Sequence, residues 1–154
     1  MTPRSRFRVR LGLYQLLLDT DTCIYAIKED ASVLRRLLSE SRADIAVSVI
    51  TEGELRTGGR ADGRTGAAKS SNADKTRRRV EKFLGPLSIL EFTSEDAASY
   101  AQIRARLERA RTPIGPLDTL IAAQVVLRKL TLVTNNQREF SRIPGLRVEN
   151  WSAD

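Results

Sequence analysis

The 154-residue chain contains no histidine and a single cysteine, Cys23, which narrows its chemistry before any element is placed. Ser-His-Asp and Cys-His nucleophilic systems are excluded, as is a zinc site built from histidine and cysteine. A hydrolase of this composition must work with carboxylates, and grouped carboxylates hold hard cations such as Mg²⁺ or Mn²⁺. Four places in the sequence offer the right groups. Asp19 closes the apolar run LLL, Glu54 follows IAVSVI, Asp118 opens LDTLIAAQVVL, and Asn135 and Asn136 follow LTLVT.

The pattern of apolar residues predicts the elements that would carry these side chains. Strands are expected at 16–18, 45–49, 87–92 and 131–134, with a fifth at 146–149. Between them come a helix through Ile24, Tyr25 and Ile27, and an amphipathic helix over 31–41 with Val33, Leu34, Leu37 and Leu38 at helical spacing. Further helices are expected from Thr51, over 75–84, from Ser94 to about Ala110, over 117–130, and as a turn at 138–141. Strands alternating with helices predict an α/β fold, a mostly parallel twisted sheet of four to five strands covered by helices on both faces. In such a sheet ligands bind beyond the carboxyl ends of the strands. Asp19, Glu54, Asp118 and the Asn135–Asn136 pair all fall at that edge.

Each residue also has a structural reading. Asp19 or Asp21 could cap the helix that follows. Thr51-Glu52-Gly53-Glu54 matches a capping box, which would leave Glu54 a structural role. Asp118, shortly after Pro116, suits the first turn of a helix through the macrodipole. Joint placement at one edge, in a chain without another catalytic set, favours the chemical reading.

Length and composition predict one domain over 15–154, preceded by a basic extension over 1–14. The 58–74 stretch, GGRADGRTGAAKSSNAD, has no large apolar residue and is expected to be a mobile loop. No apolar run is long enough to span a bilayer. The start MTPRSRFRVRLGLYQLLLD superficially matches a leader peptide, but Gln15 and Asp19 interrupt it and no small-residue cleavage site follows. With one cysteine nothing indicates an oxidising compartment, so the cytoplasm is expected.

The net charge of +7 is concentrated in two places. Residues 1–14 hold four arginines and no acid, and residues 56–82 hold nine Lys/Arg against three acids, leaving the rest mildly acidic. Such segments suit an anionic polymer, though a solvated face would read the same way. Arg77, Arg78 and Arg79 are the candidate contacts to such a polymer. GRTGAAKS at 63–70 falls one glycine short of a phosphate-binding loop and follows no apolar strand, so it is set aside. Tyr14, Tyr25, Tyr100 and Trp151 are assigned to the core or a subunit contact.

LLDTDTCIYAIK, SVITEGELRTG, IGPLDTLIAAQ and LVTNNQREFSRIPGLRVENW together resemble, in order, the motifs of VapC toxins, over nearly the whole chain from Leu16 to Trp151. The resemblance implies a PIN fold, a homodimer, Mg²⁺-dependent endoribonuclease activity with Mn²⁺ as a substitute, and inhibition by a VapB-like antitoxin. Carried over by position, Asp19, Glu54 and Asp118 become the active-site acids, with Asp19 and Asp118 binding metal directly and Glu54 acting through water. Where many relatives have a fourth aspartate this chain has Asn135 and Asn136. Asn136 can offer a neutral oxygen and Glu139 a charge. Asp21 stands where an asparagine is usual. An antitoxin helix or tail is expected along a groove formed by Ile24, Tyr25, Ile27 and the 31–41 helix. The alternative reading is a catalytically weak RNA-binding or scaffold protein on the same fold; a DNA-directed nuclease is a narrower one.

Overall fold

The computed structural model describes residues 14–57 and 67–152. The elements run β1 (Leu16–Leu18), α1 (Thr20–Ile27), α2 (Ala31–Ser39), β2 (Ile45–Ser48), α3 (Val49–Arg56), α4 (Ala67–Leu84), β3 (Ser88–Leu90), α5 (Ser94–Arg109), α6 (Pro116–Arg128), β4 (Thr131–Val133), α7 (Gln137–Phe140) and β5 (Arg147–Glu149). The strands form one sheet in the order β3-β2-β1-β4-β5, every pair parallel. The expected α/β sheet is therefore present with five strands.

Alternate strand residues face opposite layers. Leu16, Leu18, Ile45, Val47 and Val133 pack under α1, α2 and α4 with Cys23, Val33, Val80 and Leu84. Leu17, Ala46 and Leu132 pack against Leu107 of α5, Ile121 and Val125 of α6, and Phe140 of α7. A fully buried β1, LLL, is what a central parallel strand requires, since both of its faces are covered. Because β2 lies on one side of β1 and β4 on the other, the connections leave in opposite directions on either side of β1. That topological switch places a crevice at the carboxyl end of β1.

Two expectations change. Helix α4 begins at Ala67, so residues 67–74 of the expected loop are helical, while 58–66 lie outside the described residues. Once Gly66 is passed, nothing in AAKSSNADK breaks a helix, and alanine and lysine favour one. Lack of large apolar residues had suggested a loop, but it excludes only a core contribution. The expected extension, apart from Tyr14, also lies outside the described residues. Helix α3 starts at Val49 rather than Thr51, because the Ser48 hydroxyl accepts from Ile50 N at 3.0 Å and caps it. The Thr51–Glu54 capping box accordingly does not form, and Glu54 sits in the second turn.

Buried polar contacts join the layers. The Ser48 hydroxyl donates to Gln124 Oε1 at 2.5 Å, and Gln124 Nε2 donates to the Glu91 carbonyl at 3.1 Å, tying β2, α6 and the end of β3 together. Asp96, fully buried, completes a capping box with Thr93 and accepts from both Arg128 guanidinium nitrogens, which joins α5 to the far end of α6. Trp151 is buried beneath Arg36, and its carbonyl accepts from Ser32 at 2.6 Å.

Candidate active site

Asp19 leaves β1 as the N-cap of α1. Its backbone N–H continues the sheet by donating to the Val133 carbonyl at 2.8 Å, so the side chain's origin is fixed by strand pairing. One carboxylate oxygen accepts from Thr20 N at 2.8 Å and the other from the Thr134 hydroxyl at 2.8 Å. Capping and site roles thus coincide in one residue. Thr134, fully buried just after β4, accepts from Asn136 N at 3.0 Å and also lies 3.3 Å from Asp21. Thr22 donates to the Val133 carbonyl at 3.0 Å, which holds α1 against β4.

Glu54 projects from α3 toward α1, where the Thr20 hydroxyl donates to its Oε1 at 2.7 Å and lies 3.0 Å from the Thr51 hydroxyl. Asp118 lies in the first turn of α6, after Gly115 at the N-cap and Pro116 at N1. Gly115 N donates to Glu139 Oε1 at 2.9 Å, and a Cβ built at Gly115 would stand 3.6 Å from Asp118 Oδ2. Asn136 Nδ2 donates to the other Glu139 oxygen at 2.5 Å. The Asn135 side-chain amide faces the Asp21 carboxylate.

The electrostatics show that these acids share one field. Burial, then the charge of Asp21, raises the Asp19 carboxyl to about 7 against the partial relief of Thr134 and Thr20, with Asp118 adding a smaller push. Burial, followed by Glu139, Glu54 and Asp21, raises Asp118 to about 6. Burial also raises Asp21. The Cys23 thiol, buried behind the acids, is pushed up first by burial and then by Asp19 and Asp21, so it is no nucleophile.

Asp19, Glu54 and Asp118, deduced from separate segments, thus face a common crevice, joined by Asp21 and Glu139. Asn136 turns its amide nitrogen to Glu139. Of the arginines at 77–79, Arg79 lines an open groove of about 600 Å³ with Ile27, Leu34, Leu37 and Phe83, and Arg77 pairs with Asp74. The threonines at 20 and 134 went unread in the sequence. A hydroxyl directly after a strand and one directly after its terminal aspartate were the available signals. Among the described residues no three acids already converge as ligands on one point, so the set is an open cluster. Its donors nevertheless fit a divalent cation: they are all oxygen, mostly anionic, and mutually repelling without one.

The fold and this acidic edge define a PIN domain, whose family model matches residues 16–146. The tRNA(fMet)-specific endonuclease VapC of Salmonella typhimurium is 38% identical over 139 residues, 90% of this chain and 99% of that protein. Ribonuclease VapC2 of Rickettsia felis is 36% identical over 88% of this chain and 96% of that protein. A DNA-bound VapBC structure from Salmonella typhimurium matches with a TM-score of 0.79 and 36% identity, covering 90% of this chain and 99% of that one. The chain belongs to the VapC family of PIN-domain ribonucleases.

Proposed function

We propose that this protein is a Mg²⁺-dependent endoribonuclease, the toxin of a VapBC-type pair, held inactive by a VapB-like antitoxin. The observation that carries the reading is the meeting of Asp19, Glu54 and Asp118, from β1, α3 and α6, in one field of like charge. Asp19 and Asp118 would hold the cation, with Mn²⁺ able to replace Mg²⁺, and Glu54 would face it across the crevice. The bound cation supplies charge neutralisation at the phosphodiester and activation of water for in-line attack. Thr20 and Thr134 keep the carboxylates aimed, and Glu139, held by Gly115 and Asn136, supplies the charge of the absent fourth aspartate. Water as nucleophile leaves 5′-phosphate and 3′-hydroxyl ends.

The relatives named as tRNA(fMet)-specific endonucleases make initiator tRNA the first substrate to test. VapBC complexes of related chains support an antitoxin partner, and exposed Leu117 and Leu127 on α6 supply apolar surface for a homodimer. No described helix is long and apolar enough to cross a membrane, and the protein is read as cytoplasmic. Purified chain should cleave tRNA with Mg²⁺ and stop in EDTA. Asp19→Asn and Asp118→Asn should each remove most cleavage while remaining folded. Full activity in either folded variant refutes the assignment. Binding without metal-dependent cleavage would favour the scaffold alternative.

A further inference from the structure

The two basic segments legible in the sequence do not exhaust the chain's basic surface. Outside them the sequence is mildly acidic, yet folding sets two arginines of α5 in a groove that the turn after α7 helps to close. Arg106 and Arg109 are exposed on the C-terminal half of α5. They line an open groove of about 570 Å³ whose opposite wall includes Val126, Ile143 and Pro144, and no carboxylate is among its lining residues. Arg142, next to Ile143, is exposed, and its Nη1 donates to the Pro113 carbonyl at 2.9 Å, so its direction is fixed without its charge being cancelled.

This groove is connected to the acid cluster by a short run of contacts. Thr112 N donates to the Leu107 carbonyl at 2.9 Å, which turns the chain from α5 into the 113–115 connection. That connection receives Arg142 at Pro113, then holds Glu139 at Gly115 and delivers Asp118 three residues later. Arg79 and Lys82, in contrast, share their apolar groove with Glu29 and Glu40. A mixed-charge apolar groove suits a polypeptide, whereas a groove with arginines and no acid suits a polyanion.

We propose that the α5 groove, with Arg106 and Arg109 on its wall and Arg142 adjoining it next to Ile143, binds the sugar–phosphate backbone of the substrate RNA beside the acid cluster. This rests on the nuclease reading and names where its substrate lies. Arginine is suited to the task because its planar fork meets a phosphate through two donors. The contacts are to backbone, so they set register and affinity more than base identity.

The test is tRNA binding to the full chain in EDTA, where no metal-dependent cleavage intervenes, across a salt series. Arg106→Gln/Arg109→Gln should weaken binding about tenfold and reduce the slope of log affinity against log salt by about 1.4 to 1.8, two phosphate contacts' worth. Arg142→Gln should reduce it by roughly one further contact. In Mg²⁺ the double variant should raise KM with kcat within about twofold, the signature of lost uniform binding. Arg147→Gln, at the opposite, amino end of β5, should change neither quantity. A wild-type chain that binds and cleaves RNA, with the double variant matching it in affinity and slope, overturns the groove alone. Intact RNA affinity with lost self-association or antitoxin co-purification assigns the groove to a protein and also overturns it. A wild-type chain that neither binds nor cleaves RNA overturns the nuclease reading and the groove together.

Discussion

The Thr20 hydroxyl donates a 2.7 Å hydrogen bond across the crevice to Glu54 Oε1, so the residue after the first acid orients the second. A hydroxyl has one proton, and spending it on Glu54 leaves the Thr51 hydroxyl, 3.0 Å away, to donate back to Thr20. Helices α1 and α3 are thereby joined at the level of the acids.

Thr20→Val keeps the shape of the side chain and removes that donor, whereas Thr20→Ser keeps the donor. The valine variant should lose about tenfold in kcat, near the value of one hydrogen bond to a charged group, while the serine variant stays close to wild type. In a Glu54→Gln background Thr20→Val should add little. Additive losses in the double-mutant cycle would show that Thr20 acts on something other than Glu54.

The raised acids predict how stability depends on pH. Asp19 titrates near 7 and Asp118 near 6 in the folded chain, both above the 3.8 of the unfolded chain. The folded state therefore holds more protons between those limits, and metal-free stability should fall as pH rises from about 4 to 7. Each kcal/mol lost would lower Tm by about 2–4 °C for a chain of this size. Asp19→Asn should flatten the profile, and Mg²⁺ should stabilise more at pH 8 than at pH 5.5. Thermal melts in EDTA across pH check this, and a Tm that climbs from pH 5 to 7.5 contradicts it.

Glu139 is held by Gly115 N and Asn136 and faces Asp118, so Glu139→Gln should weaken Mn²⁺ binding in calorimetry several-fold and lower kcat with it. Asn136→Ala should have a smaller effect of the same kind, through Glu139. Unaltered metal affinity in both variants would remove this corner from the site.

Asp96 lies far from the acids and tests stability alone. Asp96→Ala removes a capping box and leaves Arg128, three-quarters buried, without its carboxylate. Unfolding free energy should drop by about 2–3 kcal/mol. Cleavage by the remaining folded protein should be unchanged, since α5 and α6 meet there at the end opposite Asp118. Urea titration and specific activity separate the two effects.

The three acids were legible because each follows or opens an apolar run, and the parallel sheet sends such junctions to one edge. Glu54 was legible by type but not by place, since Ser48 competes successfully with Thr51 for the cap and shifts α3 two residues earlier. Thr20 and Thr134 were invisible as partners because a hydroxyl's role depends on what stands opposite it, here residues 34 and 115 positions away. The α5 groove escaped a running charge count because Glu108 separates Arg106 from Arg109 in sequence, and the groove exists only once α5 packs against α6 and the turn after α7.

The pairing of β1 with β4 gives the order of synthesis a bearing on toxicity. Asp19 is translated early, but its Thr134 partner emerges 115 residues later, and so does the strand that covers one side of β1. A fragment that ends before β4 therefore lacks the strand and the hydroxyl that hold Asp19 in the crevice. The Thr134 contact to Asp19 forms only when β4 slots in beside β1, so a polypeptide stalled or cleaved before Thr131 should not cleave RNA. The cell's exposure to this nuclease should then follow the number of chains that pass β4 rather than the number initiated.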